Sequence, residues 1–180
     1  ATGYFNPAGF AMIAEELLRT DKVRLLLGAE PTTPPKQSFP KPGEKRGKAY
    51  DVQRIDQALQ DTEEGLKEDR DILGFSPEVD QTIHKLLDFL ESGKVEVRRY
   101  SHGFLHGKAF LFIGGDGRNE GVISGSSNFT AAGLYSNREL NLGHYDPRVV
   151  NQVADWFQDM WDESEPYDLA EIYEARFREY

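Results

Sequence analysis

Apolar positions along the chain follow helical spacing in some stretches and form compact runs in others, and this alternation predicts an α/β protein. Helical spacing recurs near the start, after residue 50, after residue 76 and after residue 146, and a last helix is predicted over 168–178. Apolar runs predict strands at 22–28, 94–100, 107–113, 120–126 and 137–145. A length of 180 residues is typical of one domain with its own core, so a single domain over 1–180 is predicted.

Three of the predicted helices begin with a capping side chain followed by proline, which is a strong helix start signal. These pairs are Asn6-Pro7, Ser76-Pro77 and Asp146-Pro147. The segment 29–47 has five prolines and no apolar period, so it is predicted to be a long exposed loop and a candidate substrate flap.

Composition narrows the classes of protein that the chain can belong to. It has no cysteine, which excludes disulfides and thiolate metal sites and is typical of a reducing cytoplasm. No apolar run approaches the roughly 18 residues that span a bilayer, and no secretory signal opens the chain. A cytoplasmic protein without a membrane partner is therefore expected. The chain starts without Met inside an apparent strand, which indicates a fragment of something longer.

The net charge of −10 is concentrated at one end of the chain. Residues 146–180 contain ten acidic and three basic side chains and form a predicted acidic helical tail. Basic residues collect instead in two groups, the first at Lys36, Lys41, Lys45, Arg46 and Lys48 and the second at Lys94, Arg98 and Arg99. Either group could contact a phosphate backbone or be solvated surface charge, and the sequence leaves both interpretations open.

The candidate chemistry lies in about 35 residues after the second basic group. His106 and Lys108 are two apart on a predicted strand, so they should share a face, and Ser126 and Asn128 repeat this relation at the end of the next strand. A neutral imidazole can attack phosphorus near neutral pH, while the other three can bind phosphoryl oxygens. Glu139, on a third predicted strand, could accept the other imidazole N–H. No cofactor is needed, and no metal site is predicted, because the spacing of His102 and His106 has no further ligands around it.

These residues resemble the signature of the phospholipase D superfamily, the HKD motif His-x-Lys-(x)4-Asp followed by Gly-Ser and Asn. The stretches that carry the resemblance are Phe-Leu-His-Gly-Lys-Ala-Phe-Leu-Phe-Ile, Gly-Ser-Ser-Asn-Phe-Thr and Asn-Arg-Glu-Leu-Asn-Leu. The resemblance implies a mixed β-sheet flanked by helices on both faces, with a single HKD motif in this chain. It also implies catalytic roles for His106, Lys108 and Glu139 and phosphate binding by Lys108, Ser126 and Asn128.

One position departs from the signature. The motif aspartate should stand at position 113, where this chain has Ile113. Asp116 is the nearest carboxylate, so Asp116 and Ser127 are the candidate supporting residues. In the nuclease-like members, one histidine forms a phosphohistidine and a second protonates the leaving oxygen. Because this chain has one such motif, a two-fold homodimer that completes the site is expected.

Four further stretches carry a wider resemblance: Gly3-Tyr4-Phe5 with Gly9-Phe10, Lys22-Val23-Arg24-Leu25-Leu26-Leu27-Gly28, Asp155-Trp156-Phe157 to Trp161, and Pro166-Tyr167-Asp168-Leu169. They resemble the phospholipase D-like module that precedes the motor of some bacterial SNF2-type helicases. This wider resemblance implies a metal-independent phosphodiesterase acting on DNA, or RNA, within a larger nucleic-acid-processing or phage-restriction protein. The alternative is a catalytically weakened DNA-binding module that positions a helicase motor. Lipid hydrolysis is disfavoured because the chain is acidic and shows no amphipathic membrane-binding segment.

Overall fold

The computed structural model of the chain describes residues 1–29, 48–72 and 76–178. The helices are α1 Pro7–Met12, α2 Ala14–Arg19, α3 Lys48–Ile72, α4 Pro77–Glu91, α5 Pro147–Asp162 and α6 Leu169–Arg178. The strands are β1 Val23–Leu27, β2 Val95–Arg99, β3 Ala109–Ile113, β4 Asn119–Gly125, β5 Asn141–His144 and β6 Glu165–Pro166, and a π-helical turn covers Ala132–Ser136.

The strands form two three-stranded sheets rather than one continuous sheet. In the first, the order is β1-β2-β6, with β1 parallel and β6 antiparallel to β2; in the second, β3-β4-β5 is antiparallel throughout. The first residues of the chain connect the two sheets. The Thr2 N–H donates to Leu26 O over 3.0 Å, and the Ala109 N–H donates to Ala1 O over 3.1 Å. The two sheets are therefore linked at the strands β1 and β3.

Helices cover both faces of the first sheet, because alternate side chains of β1 enter different cores. Leu25 and Leu27 pack with residues of α1, α4 and α6, including Phe10 and Leu86. Leu26 packs on the other side with Phe157 and Trp161 of α5. The same helix covers β3 and β4, where Val150 packs against Ala109 and Val122. The predicted α/β fold with helices on both faces is confirmed.

Several predicted boundaries are corrected. The first helix is two short helices, because Ile13 leaves the helical conformation with φ −127° and ψ 19°. The strand predicted over 137–145 is ordered as a strand only over Asn141–His144, so Glu139 precedes it. The strand predicted over 107–113 begins at Ala109, so His106 and Lys108 also precede their strand. The short strand β6 was not predicted.

The two predicted basic groups have different outcomes. Of the loop predicted over 29–47, only Ala29 lies within the described residues, and the side chains of the Lys36 to Lys48 group lie outside them. In the second group, Arg98 donates to Trp161 O over 3.0 Å and Arg99 forms an ion pair with Glu63 at 3.2 Å. Both arginines therefore bind other elements of this domain. Most of the acidic segment is helical, as predicted, but it also contains β6, and its first helix, α5, packs on strands of both sheets instead of forming a tail.

Candidate active site

Lys108 lies at the centre of the candidate residues, directly before β3. Its backbone carbonyl accepts the Gly125 N–H over 3.2 Å and the Ser124 hydroxyl over 3.1 Å, so the end of β4 lies beside it. The residue is only 6% exposed, and its Nζ donates to the carbonyl of His106 over 3.3 Å. A nearly buried ammonium therefore lies between the segment that carries His106 and the carboxyl end of β4.

His106 belongs to an irregular segment that crosses the end of β1. Leu105 is buried and His106 is exposed, so the imidazole is on the solvent side of this segment. The backbone of this segment packs closely against Gly28: a Cβ atom at Gly28 would lie 2.1 Å from Leu105 O. Below the segment, the ring of Trp156 lies against Gly107, where an added Cβ would be 2.6 Å from it. Glycine at both positions permits this approach of the backbone.

Ser126 and Glu139 contact each other at the end of β4. The Ser126 hydroxyl donates to the Glu139 carboxylate, and the same hydroxyl oxygen accepts the Leu140 N–H over 3.1 Å. Asn137 Nδ2 donates to the second carboxylate oxygen over 3.2 Å. Sequence reasoning assigned Ser126 to phosphate and Glu139 to His106, but it did not predict this contact between the two.

The hydrogen bonds hold Glu139 in its ionised form. Donation by Ser126 is the largest cause that lowers the pKa of the Glu139 carboxyl below its usual value of 4.5, followed by donation from Asn137. The positive charge of Lys108 contributes in the same direction. The structure thus brings Lys108, Ser126 and Glu139 into one electrostatic cluster.

Asn128 is held by the first residues of the chain. Its Oδ1 accepts the Tyr4 N–H over 3.1 Å and lies 3.3 Å from Thr2 Oγ1. Thr2 is 1% exposed, and its Oγ1 also accepts the Phe129 N–H over 2.9 Å. The oxygen of the Asn128 amide is therefore bound by the first residues of the chain. Sequence reasoning missed Thr2, which lies 126 residues from Asn128 and follows no motif.

The structure does not bring Asp116 to the other candidates. Asp116 lies in the turn between β3 and β4, where Arg118 pairs with it at 3.3 Å. His106 precedes the opposite end of β3, whose five residues span about 16 Å. Ile113 is the last residue of that strand and is half exposed. Ser127, the other supporting candidate, is buried and accepts a hydrogen bond from Asn141 Nδ2 over 2.7 Å, so it connects β4 to β5.

These contacts place a cation, a hydroxyl and an anchored amide around the carboxyl end of β4, and Lys108 ties this end to the backbone of the exposed residue His106. Such a set can bind a phosphoryl group without a metal, because Lys, Ser and Asn all donate to anionic oxygen. Within the described ranges, no three His, Cys, Asp or Glu residues are grouped so that they could hold a metal ion.

The chain is thus an α/β protein in which Lys108, Ser126 and Glu139 gather at the carboxyl end of β4. Residues 2–161 match the family model described as the cardiolipin synthase, PLD-like domain. The chain therefore belongs to the phospholipase D-like family, whose superfamily processes phosphodiesters. A comparison with curated proteins gives no matching relative. None of the helices described by the structure is long and apolar enough to cross a membrane.

Proposed function

We propose that the chain is a metal-independent phosphodiesterase that cleaves DNA, or RNA, through a phosphohistidine at His106. The observation that carries this proposal is the cluster of Lys108, Ser126 and Glu139 beside the exposed His106, in a chain that belongs to a phosphodiester-processing family. Lys108, Ser126 and Asn128 bind the phosphoryl oxygens. Glu139 orients the imidazole when substrate displaces its contact with Ser126.

The reaction divides into two displacements at phosphorus. A ring nitrogen of His106 forms a bond to phosphorus while the bond to the leaving oxygen breaks, and a second histidine protonates that oxygen. Water then attacks the phosphohistidine and releases the phosphomonoester and the free imidazole. Lys108 stabilises the negative charge on the phosphoryl oxygens in both steps, and its low exposure strengthens that interaction.

The second histidine comes from another copy of the chain in this proposal. The sequence contains one His-x-Lys motif, so a two-fold homodimer supplies the acid as the partner's copy of that motif. His106 is exposed, as a residue that reaches a site shared between two copies must be before they assemble.

Cleavage of labelled single-stranded and duplex DNA in excess EDTA tests the enzyme. We expect cleavage by the wild type and a loss of at least about a thousandfold with His106→Ala, because the nucleophile is removed. His84→Ala is the matched control, since His84 is exposed on α4 and its ring contacts its own helix at Asp80 O, 2.7 Å away. Cleavage that requires added metal, or that survives in His106→Ala, would contradict the proposal.

One observation favours a second function, a DNA-binding module without catalysis that positions a helicase motor. Ile113 stands where the motif aspartate is expected, and Asp116 is at the far end of β3 from His106. If neither wild type nor His106→Ala cleaves DNA and both retain salt-sensitive DNA binding, the cluster acts only to bind phosphate. In either function the chain is proposed to be a module of a larger nucleic-acid-processing or phage-restriction protein.

A further inference from the structure

We propose that Phe104 and Arg54 form a stacking platform for the nucleobase next to the phosphate that His106 attacks. This inference rests on the phosphodiesterase proposed above and adds a determinant of its substrate class. Neither residue is one of the His, Lys, Ser, Asn or Glu positions that the motif singles out, and about 50 positions separate them in the sequence. The structure brings the Arg54 guanidinium of α3 to 5.5 Å from the centroid of the Phe104 ring.

Phe104 and His106 are both exposed on the segment that crosses the end of β1. Phe104 is 38% exposed, Leu105 is 5% exposed, and His106 is exposed again, so the two outer side chains face solvent while the middle one anchors the segment. Their Cα atoms cannot be more than about 7 Å apart, because each residue of an extended chain advances at most about 3.6 Å. A base attached to a phosphate at His106 is therefore within reach of the ring.

The chemistry of the pair fits a nucleotide. An exposed aromatic ring stacks on any base, and an arginine near such a ring adds both a cation–π contact and a positive charge for the phosphate backbone. An acyl chain would instead require a continuous apolar surface, whereas here a guanidinium lies over the ring. The platform thus favours single-stranded nucleic acid, whose bases are free to stack.

The test uses a set of fluorescent ten-nucleotide single strands, each with one abasic site at a different position, and measures binding and cleavage. Wild type is expected to lose about tenfold in affinity when the abasic site falls beside the cut, since stacking of one base contributes that much. Phe104→Leu, which keeps an apolar side chain without the ring face, should bind the intact strand about tenfold more weakly and lose this dependence. Phe104→Tyr should restore both.

Phe112→Leu is the matched control, since Phe112 is similarly exposed but lies near the far end of β3. Equal affinity of wild type and Phe104→Leu for the intact strand would overturn the platform, even if cleavage is normal. If no strand is cut by any protein but the abasic dependence in binding persists, the phosphodiesterase fails and the platform stands. If Phe104→Leu loses binding to phosphatidylglycerol vesicles while its DNA binding is unchanged, the ring contacts lipid and the inference is refuted.

Discussion

Gly28 permits the close approach of the segment that carries His106. A Cβ atom there would meet Leu105 O at 2.1 Å, and this contact is with backbone, so the segment itself must move. We expect Gly28→Ala to destabilise the fold by about 2 kcal/mol and to reduce phosphodiester cleavage, because His106 moves with Leu105. Urea unfolding and cleavage rates measure the two effects.

Gly115→Ala is the control for this substitution. Gly115 lies in the turn between β3 and β4, where an added Cβ would have no neighbour within 4 Å. The stability and cleavage activity of Gly115→Ala should match those of the wild type. Equal behaviour of the two alanine variants would show that the packing of Leu105 on Gly28 does not position the segment.

Protonation of Glu139 gives a prediction with a definite sign. Its pKa in the folded chain is lowered, first by Ser126, so ionised Glu139 adds stability that is complete above its usual value of 4.5. That contribution is lost as the pH falls through the lower value of the folded protein. Wild type should therefore have a larger free energy of unfolding than Glu139→Gln at pH 7. This difference in free energy should shrink below pH 4.5.

Urea unfolding of both proteins across this range gives the measurement. Every other carboxyl titrates in both proteins, so its contribution cancels in the difference between their free energies of unfolding. A difference that stays constant or grows on acidification would mean that the hydrogen bonds from Ser126 and Asn137 do not favour the ionised form.

Among the elements, α4 depends on the capping residue that precedes it. Ser76 Oγ accepts the Val79 N–H over 3.2 Å, and Pro77 follows as the first helical residue. We expect Ser76→Ala to cost about 1 kcal/mol in the free energy of unfolding, because a helix N–H loses its partner. Gln81→Ala, at an exposed position of the same helix, should cost nothing measurable. Urea unfolding distinguishes them, and equal losses would contradict the capping role.

The elements that the sequence predicts well are those whose signals are local. Ser76-Pro77 and Asp146-Pro147 begin α4 and α5 as predicted, because a cap and a proline act on their own helix. The break at Ile13 was not predicted, since apolar spacing continues across it. The strand predicted over 137–145 begins too early, because Glu139 accepts hydrogen bonds from Ser126 and Asn137 before β5 begins. That contact is set by the tertiary fold.

The same distinction holds for the candidate site. The motif predicts His106, Lys108 and Ser126, which lie before β3 and after β4, at the adjoining ends of two neighbouring strands. It cannot identify Thr2 or Arg54, because their contacts with Asn128 and Phe104 depend on how distant parts of the chain pack. Such residues carry no pattern of their own.

For the whole molecule, the proposed homodimer gives a quantitative prediction. If each site requires a histidine from both copies, a dimer of wild type with His106→Ala has no complete site. After equal amounts are mixed and allowed to exchange subunits, about one quarter of the dimers are wild type on both sides. Activity per total protein should then fall to about a quarter, because only those dimers have both nucleophile and acid.

A site contained in one copy would instead retain about half of the activity, since each wild-type subunit would work independently. Sedimentation velocity on the same samples establishes that dimers are present, and His84→Ala mixed in the same way should cause no loss. A value near one half, in samples shown to be dimeric, would mean that the acid lies within one chain. The search for it would then begin with His102, which is exposed and precedes His106 by four residues in the same crossing segment.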